Sequence, residues 1–208
     1  GSQNLNSEAI LSAQEQTIVL AQTLINMTGL VTKEEIDYIN IGGGFGVPYF
    51  KNEQALDIRY LGEQLSIMLE KAQETLGKIE IIIELGRYLV AEAGIYVTKI
   101  VDKKVSRGTT YLVCDGGLHH HLANSGNFGQ VIRKNYPVCI GNKLASEDHE
   151  LVSIVGPLCT PLDVLAEKVN LPIATVGDYI VIFQSGAYGA SASPQAFLSQ
   201  PSLSELLL

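Results

Sequence analysis

Apolar residues recur at helical spacing through Ile10, Leu11, Val19, Leu20, Leu24 and Ile25, behind the capping candidates Asn6-Ser7-Glu8. That pattern predicts an amphipathic helix ending near Gly29. A short strand over residues 36–41 follows and runs directly into Gly42-Gly43-Gly44-Phe45-Gly46. A second stripe, Leu61, Leu65, Met68, Leu69 and Leu76, predicts a helix over residues 55–76 with Gly77 as its C-cap. Next comes Ile79-Glu80-Ile81-Ile82-Ile83, a β-branched run of the kind that suits a strand buried on both faces, and it closes on Glu84-Leu85-Gly86-Arg87. Crossovers long enough for a helix imply parallel strands, and both motifs fall at strand ends, where such folds keep their sites.

From about Gly94 the period shortens. Residues 96–101 and 109–114 read as strands joined by Ser106-Arg107-Gly108, and residues 151–155 and 178–184 add two more, with no long helix between Ala93 and Asp163. A short helix is expected after Pro161, with Leu162, Leu165 and Val169 facing inward and a stop near Pro172. The fold class is therefore α/β plus β, with an α/β part over residues 1–92 and a β-rich part, a sheet or small barrel, over residues 93–208. Two or three strand units are too few to close an α/β barrel, so the chain is expected to be a piece of a longer protein.

Composition narrows the function. Of 208 residues 46% are hydrophobic, enough for a sizeable core, and 14 basic against 22 acidic residues leave a net charge of −8. That acidity disfavours a nucleic-acid surface. No window approaches 18 consecutive apolar residues and the N-terminus has no basic start, so a soluble, cytoplasmic protein that does not span a membrane is expected. Three cysteines, Cys114, Cys139 and Cys159, form neither a disulfide framework nor a zinc knuckle.

The candidate chemistry lies in a few places. The glycine run offers backbone N–H groups with no side chain in the way; it is either a plain turn or a cradle for an anion. Glu84 follows three isoleucines, which predicts a shielded carboxylate needing a cationic partner: Arg87 as an ion pair, or a ligand ring nitrogen while Arg87 binds phosphate. His119-His120-His121, expected in an extended segment, would point to alternate sides and make a poor metal site, so no metal is expected. Cys159, in Gly156-Pro157-Leu158-Cys159-Thr160-Pro161-Leu162-Asp163, is a small core residue or a catalyst. Tyr188, in Gly186-Ala187-Tyr188, is a core residue or leans over a flat ligand. Arg133 is a carboxylate-binding candidate or an exposed surface arginine, and Asp163 is the second candidate for substrate binding.

Taken in order, Gly1-Ser2-Gln3, the glycine run, Glu84-Leu85-Gly86-Arg87, Asp115-Gly116-Gly117, Gly156-Pro157-Leu158-Cys159 and Gly186-Ala187-Tyr188 resemble the C-terminal part of the pyridoxal-phosphate-dependent decarboxylases related to diaminopimelate and ornithine decarboxylase. The resemblance covers essentially the whole chain. His119-His120-His121 and Ser193-Pro194-Gln195-Ala196-Phe197 resemble the subgroup associated with exosortase systems. The family implies part of an alanine-racemase-like (β/α)8 barrel of fold type III, a C-terminal β domain, pyridoxal 5'-phosphate as cofactor, and a homodimer with shared active sites. Ser2, Gly42, Gly43, Gly44, Gly86 and Arg87 would then hold the cofactor phosphate, Glu84 its ring nitrogen, and Tyr188 its ring, while Cys159 would reach into the neighbouring subunit's site.

Three departures stand out. Leu85 replaces the family's usual proline, Thr160 stands where diaminopimelate enzymes usually carry a substrate-recognising glutamate, and Ser193–Phe197 replaces a tyrosine-asparagine pair. The implied reaction is decarboxylation of an amino acid or a carrier-tethered amino acid, diaminopimelate-like or with a smaller or uncharged distal group. Amino-acid racemisation and a non-catalytic binding role are the alternatives. The family's Schiff-base lysine lies upstream of every motif here, and none of Lys33, Lys51, Lys71 or Lys78 sits in a matching motif, so these residues alone are expected to be inactive.

Overall fold

A computed structural model describes residues 2–27, 35–50, 52–126 and 133–208. The chain divides into two compact units, Gly1–Leu89 and Val90–Leu208.

In the first unit, Asn6 accepts a hydrogen bond from Ala9 N and caps α1 (Ser7–Asn26); Asp57 accepts from Tyr60 N and caps α2 (Ile58–Leu76), which ends on Gly77 at φ 75°. Such caps stabilise a helix by about 1 kcal/mol each. Leu61, Leu65, Ala72 and Leu76 are buried, with Met68 and Leu69 packed beside them, so the stripe anticipated for α2 is the face it buries. On α1 the buried set is Ile10, Leu11, Gln14 and Ile18, whereas Val19, Leu20 and Leu24 are exposed. At 100° per residue, positions 19 and 20 turn away from the face shared by 11, 14 and 18, which corrects the wider stripe expected from sequence. Gly29, the anticipated end of this helix, lies outside the described residues.

Two strands, β1 (Tyr38–Gly43) and β2 (Glu80–Glu84), pair in parallel with Tyr38 opposite Glu80 and Gly43 opposite Glu84. The isoleucines of β2 are half-buried rather than buried on both faces. Among the described residues β1 is the only strand paired with β2, so its other edge carries no neighbour. A five-residue helix, α3 (Gly86–Val90), follows at once.

The second unit is a six-stranded sheet. Its strands are β3 (Tyr96–Ser106), β4 (Thr109–Cys114), β5 (Val138–Ile140), β6 (His149–Val155), β7 (Val164–Pro172) and β8 (Tyr179–Ile182), in the order β5-β8-β3-β4-β6-β7. All neighbours are antiparallel except β4 with β6, and the end strands β5 and β7 lie beside each other, which curls the sheet towards a barrel. Arg107 and Gly108, at φ 48° and 78°, make the two-residue turn that the twist of a β3–β4 hairpin demands. The helix expected after Pro161 is not formed: residues 164–172 are β7, antiparallel to β6, with Leu165, Ala166, Leu171 and Pro172 buried. The sheet core is Ile100, Leu112, Ile140, Ile154, Leu165, Ile180 and Ile182, all essentially inaccessible to solvent. Among the described residues no helix is long and apolar enough to cross a membrane.

Candidate active site

The glycine run begins inside β1. Gly42 and Gly44 have φ of 79° and 83°, a region most side chains avoid, and a Cβ on Gly43 would overlap the Glu84 carbonyl oxygen. Beside the run lies the segment around Asn4: Asn4 N donates to Gly44 O at 2.8 Å and Gly46 N to Asn4 O at 2.9 Å. Gln3 is hydrogen-bonded through its amide to Val47 O. Conformation and crowding, not sequence alone, therefore require the glycines.

Glu84 ends β2. Among the described residues its carboxylate is exposed, where the isoleucine run predicts a shielded one, and β1 is the one strand paired with β2. Asn40 Nδ2 donates to Glu84 Oε1 at 2.6 Å, and Asn40 Oδ1 accepts from Gly42 N at 2.8 Å. One amide side chain thus links the carboxylate to the glycine run. Arg87, on α3, donates from Nε to Ser2 O at 3.0 Å and from Nη1 to the Tyr49 hydroxyl at 2.9 Å, with its guanidinium 5.5 Å from the Tyr49 ring centroid. Ser2, Gly42, Gly43, Gly44, Glu84, Gly86 and Arg87 all belong to this unit, on the ends of β1 and β2 and the segments beside them. Asn40 and Tyr49 escaped sequence reasoning, although an asparagine between two isoleucines just before a glycine run is a legible signal. Lys71 lies on α2 and Lys78 just after it; Lys33 and Lys51 lie outside the described residues.

In the second unit Asp115 follows β4 and accepts from Thr98 Oγ1 at 2.7 Å and from Lys99 N at 2.9 Å. The three histidines are not extended: His120 N and His121 N both donate to Gly117 O, so the segment is a tight turn. Tyr96 OH lies 3.2 Å from His120 Nδ1, and burial pushes that phenol's pKa up. Among the described residues no three His, Cys, Asp or Glu side chains cluster as metal ligands.

Asp163 is 2% exposed and accepts from Leu118 N and Leu158 N at 2.7 and 2.8 Å. Arg133 is half-buried, not the exposed arginine of the alternative reading, and donates from Nη2 to Val164 O at 2.7 Å. Cys159 is exposed in the β6–β7 loop, and Tyr188 is 38% exposed at φ 57° after β8. Cys114 is fully buried, and burial first, then the neighbouring Asp115, pushes its thiol up to about 12, which makes it inert at neutral pH.

His121 is a built-in acid sensor of stability. Its Nδ1 accepts from Asn124 N at 3.3 Å and its Nε2 sits 2.9 Å from Ser185 Oγ, which in turn donates to Ile182 O; a neutral ring satisfies this chain. Burial pushes its pKa down to about 4. Between roughly pH 6.5 and 4 the unfolded chain binds the proton that the folded one refuses, so stability is full above that window and falls as pH drops through it. The expected loss is at most about 3 kcal/mol, at about 1.36 kcal/mol per pH unit. Denaturant titrations of the full-length protein at pH 7 and pH 4 check this, and His121→Gln is expected to flatten the difference.

Residues 13–186 match the family described as pyridoxal-dependent decarboxylase, C-terminal sheet domain. The chain belongs to the pyridoxal-dependent decarboxylases. Within that family it is 40% identical over its whole length to L-glutamyl-[BtrI acyl-carrier protein] decarboxylase of Niallia circulans, covering 48% of that protein. It is 32% identical to the diaminopimelate decarboxylase of Buchnera aphidicola over 84% of this chain and 44% of the relative. The crystal structure of diaminopimelate decarboxylase from M. jannaschii in complex with L-lysine superposes with a TM-score of 0.81 at 26% identity, over 96% of this chain and 43% of that one. The chain thus spans about half the length of the curated relatives it matches. These likenesses place it among fold-type-III enzymes related to diaminopimelate and ornithine decarboxylases, as part of the α/β barrel followed by the β domain.

The residues present fit a pyridoxal phosphate. A glycine run with Gly42 and Gly44 in left-handed conformation, and Arg87 in the same unit, suits a phosphate, and a separately held carboxylate at the next strand end suits a basic ring nitrogen.

Proposed function

We propose that the full-length protein is a cytoplasmic, pyridoxal-phosphate-dependent decarboxylase of an amino acid or a carrier-tethered amino acid, working as a homodimer with shared active sites. The observation that carries this reading is Glu84, held at the end of β2 by Asn40, whose amide also takes the Gly42 N–H of the glycine run. Residues 1–92 contribute the C-terminal part of the barrel and residues 93–208 the β domain. Gly42, Gly43, Gly44, Gly86, Arg87 and Ser2 hold the phosphate, Glu84 keeps a proton on the ring nitrogen, and Tyr188 contacts the cofactor. When bound, the cofactor supplies a sink for the electron pair left by departing carbon dioxide. Cys159, from the neighbouring subunit, gives its thiol proton to the carbon that has lost the carboxylate.

Arg133 and Asp163 serve the substrate end through the loops they hold. The Niallia relative acts on a glutamyl group carried by an acyl-carrier protein, which supports a tethered substrate here, and Thr160 beside Cys159 suits a distal group without a positive charge. The histidine turn and residues 193–197 are the features on which membership of the exosortase-associated subgroup rests.

The test is an assay of the full-length protein on free and carrier-tethered amino acids. Carbon dioxide release matched by the corresponding amine, with no enantiomer of the remaining substrate formed, is expected, and Cys159→Ala is expected to lower turnover about a hundredfold. Mixing that variant with a subunit lacking the cofactor lysine should restore about one working site per heterodimer. Racemisation without carbon dioxide release would replace this reading with a racemase, and neither activity would favour a binding role.

A further inference from the structure

We infer that Asp163 is a positioning residue that fixes the Cys159 loop against the histidine turn, so that three separate motifs act as one unit. Its catalytic half rests on the reading of Cys159 as proton donor. The carboxylate, 2% exposed, divides its two oxygens between two loops: Oδ1 takes Leu118 N–H at 2.7 Å and Oδ2 takes Leu158 N–H at 2.8 Å. Leu158 immediately precedes Cys159, so one end of the peptide that bears the thiol is held by a charge-assisted bond. The main chain of the same residue closes the loop, since Gly156 N donates to Asp163 O at 3.0 Å and Asp163 N to Thr160 O at 3.2 Å.

Two glycines are shaped around this carboxylate. A Cβ on Gly117 or on Gly156 would overlap its oxygens, so the second glycine of Asp115-Gly116-Gly117 and the glycine of Gly156-Pro157-Leu158-Cys159 are small for the same reason. From Leu118 the connection continues: His120 and His121 hang from Gly117 O, and His121 reaches Ser185 Oγ, the residue before Gly186-Ala187-Tyr188. Gly186 in turn is packed against the Val90 carbonyl and Gly94, with Gly186 N donating to Ala91 O at 3.0 Å. Asp163 therefore sets where the thiol loop lies relative to the turn that supports the tyrosine.

Asp163→Asn in the full-length protein replaces one acceptor with a donor facing an N–H and removes the charge that strengthens the bond to the other, so neither loop keeps its hold. Protection of the Leu118 and Leu158 amides against hydrogen exchange is expected to fall together, while cofactor absorbance stays as in the wild type. Turnover is expected to fall about a hundredfold, as a misplacement of about 1 Å costs. In a Cys159→Ala background the same substitution should cost nothing further, because both changes disable one proton transfer. Gly156→Ala approaches from the other side with the carboxylate intact and is expected to give the same non-additive loss, which covers the case in which Asp163→Asn fails to fold. Loss of protection at only one amide, or losses that multiply with Cys159→Ala, would overturn the inference. If Cys159→Ala keeps wild-type turnover, the proton-donor reading fails, and the exchange measurement alone decides the clamp.

Discussion

Glu84→Ala in the full-length protein is expected to retain bound cofactor and lose turnover by about a hundredfold or more, the scale seen when a preorganised electrostatic partner is removed from a reaction centre. In the proposed site the phosphate end falls to Gly42, Gly43, Gly44 and Arg87, whereas the Glu84 carboxylate accepts from Asn40. In the proposed site Glu84 would keep a bound cofactor's ring nitrogen protonated, so removing the carboxylate would weaken the electron sink that the cofactor supplies. Single-turnover carbon dioxide release, read beside cofactor absorbance, separates the two effects. Unchanged steady-state decarboxylation would remove Glu84 from the mechanism. Loss of cofactor together with activity would make it an anchor first.

Gly43→Ala is expected to destabilise the first unit by about 3 kcal/mol or more and to abolish cofactor binding, at the upper end of what overpacking costs. The new Cβ would overlap the main-chain oxygen of Glu84, with which Gly43 is paired across the β1–β2 register, and backbone cannot step aside as a flexible side chain can. Separating the strands there moves the glycine run and Glu84 apart. Gly42→Ala is the informative comparison: its Cβ meets nothing within 4 Å, so only the strain of φ 79° remains, about 1 kcal/mol. Chemical unfolding and cofactor titration of both variants check the contrast, and equal losses would show that conformation rather than crowding selects these glycines.

What was legible in the sequence follows a physical division. The face of α2 was readable because Leu61, Leu65 and Leu76 keep the helical period and Gly77 ends it. The β3–β4 hairpin was readable because Arg107-Gly108 is a turn on its own account. Strand β7 was not: Leu162, Leu165 and Val169 fit a helical spacing, while irregular pairing with β6 and Lys168 at φ 51° break the two-residue alternation that marks a strand. Glu84 was found at its strand end, but its exposure depends on what lies on the far side of β2, which no local pattern carries. The histidine turn follows from two bonds to Gly117 O, and the place of Asp163 depends on glycines 39 positions apart in the chain, Gly117 and Gly156.

Strand β3 belongs to two pairings at once, its first residues with β8 and its remainder with β4. In kinetic terms the two halves are unequal. The β4 side closes through a two-residue turn, whereas the β8 side must bring Tyr179 back to Lys99 across the intervening chain. Loop-closure entropy delays such distant pairings. A nascent chain therefore completes the hairpin early and threads β8 onto its outer edge late, so the segment that ends in Tyr188 reaches its place only when nearly all of the β unit has been synthesised.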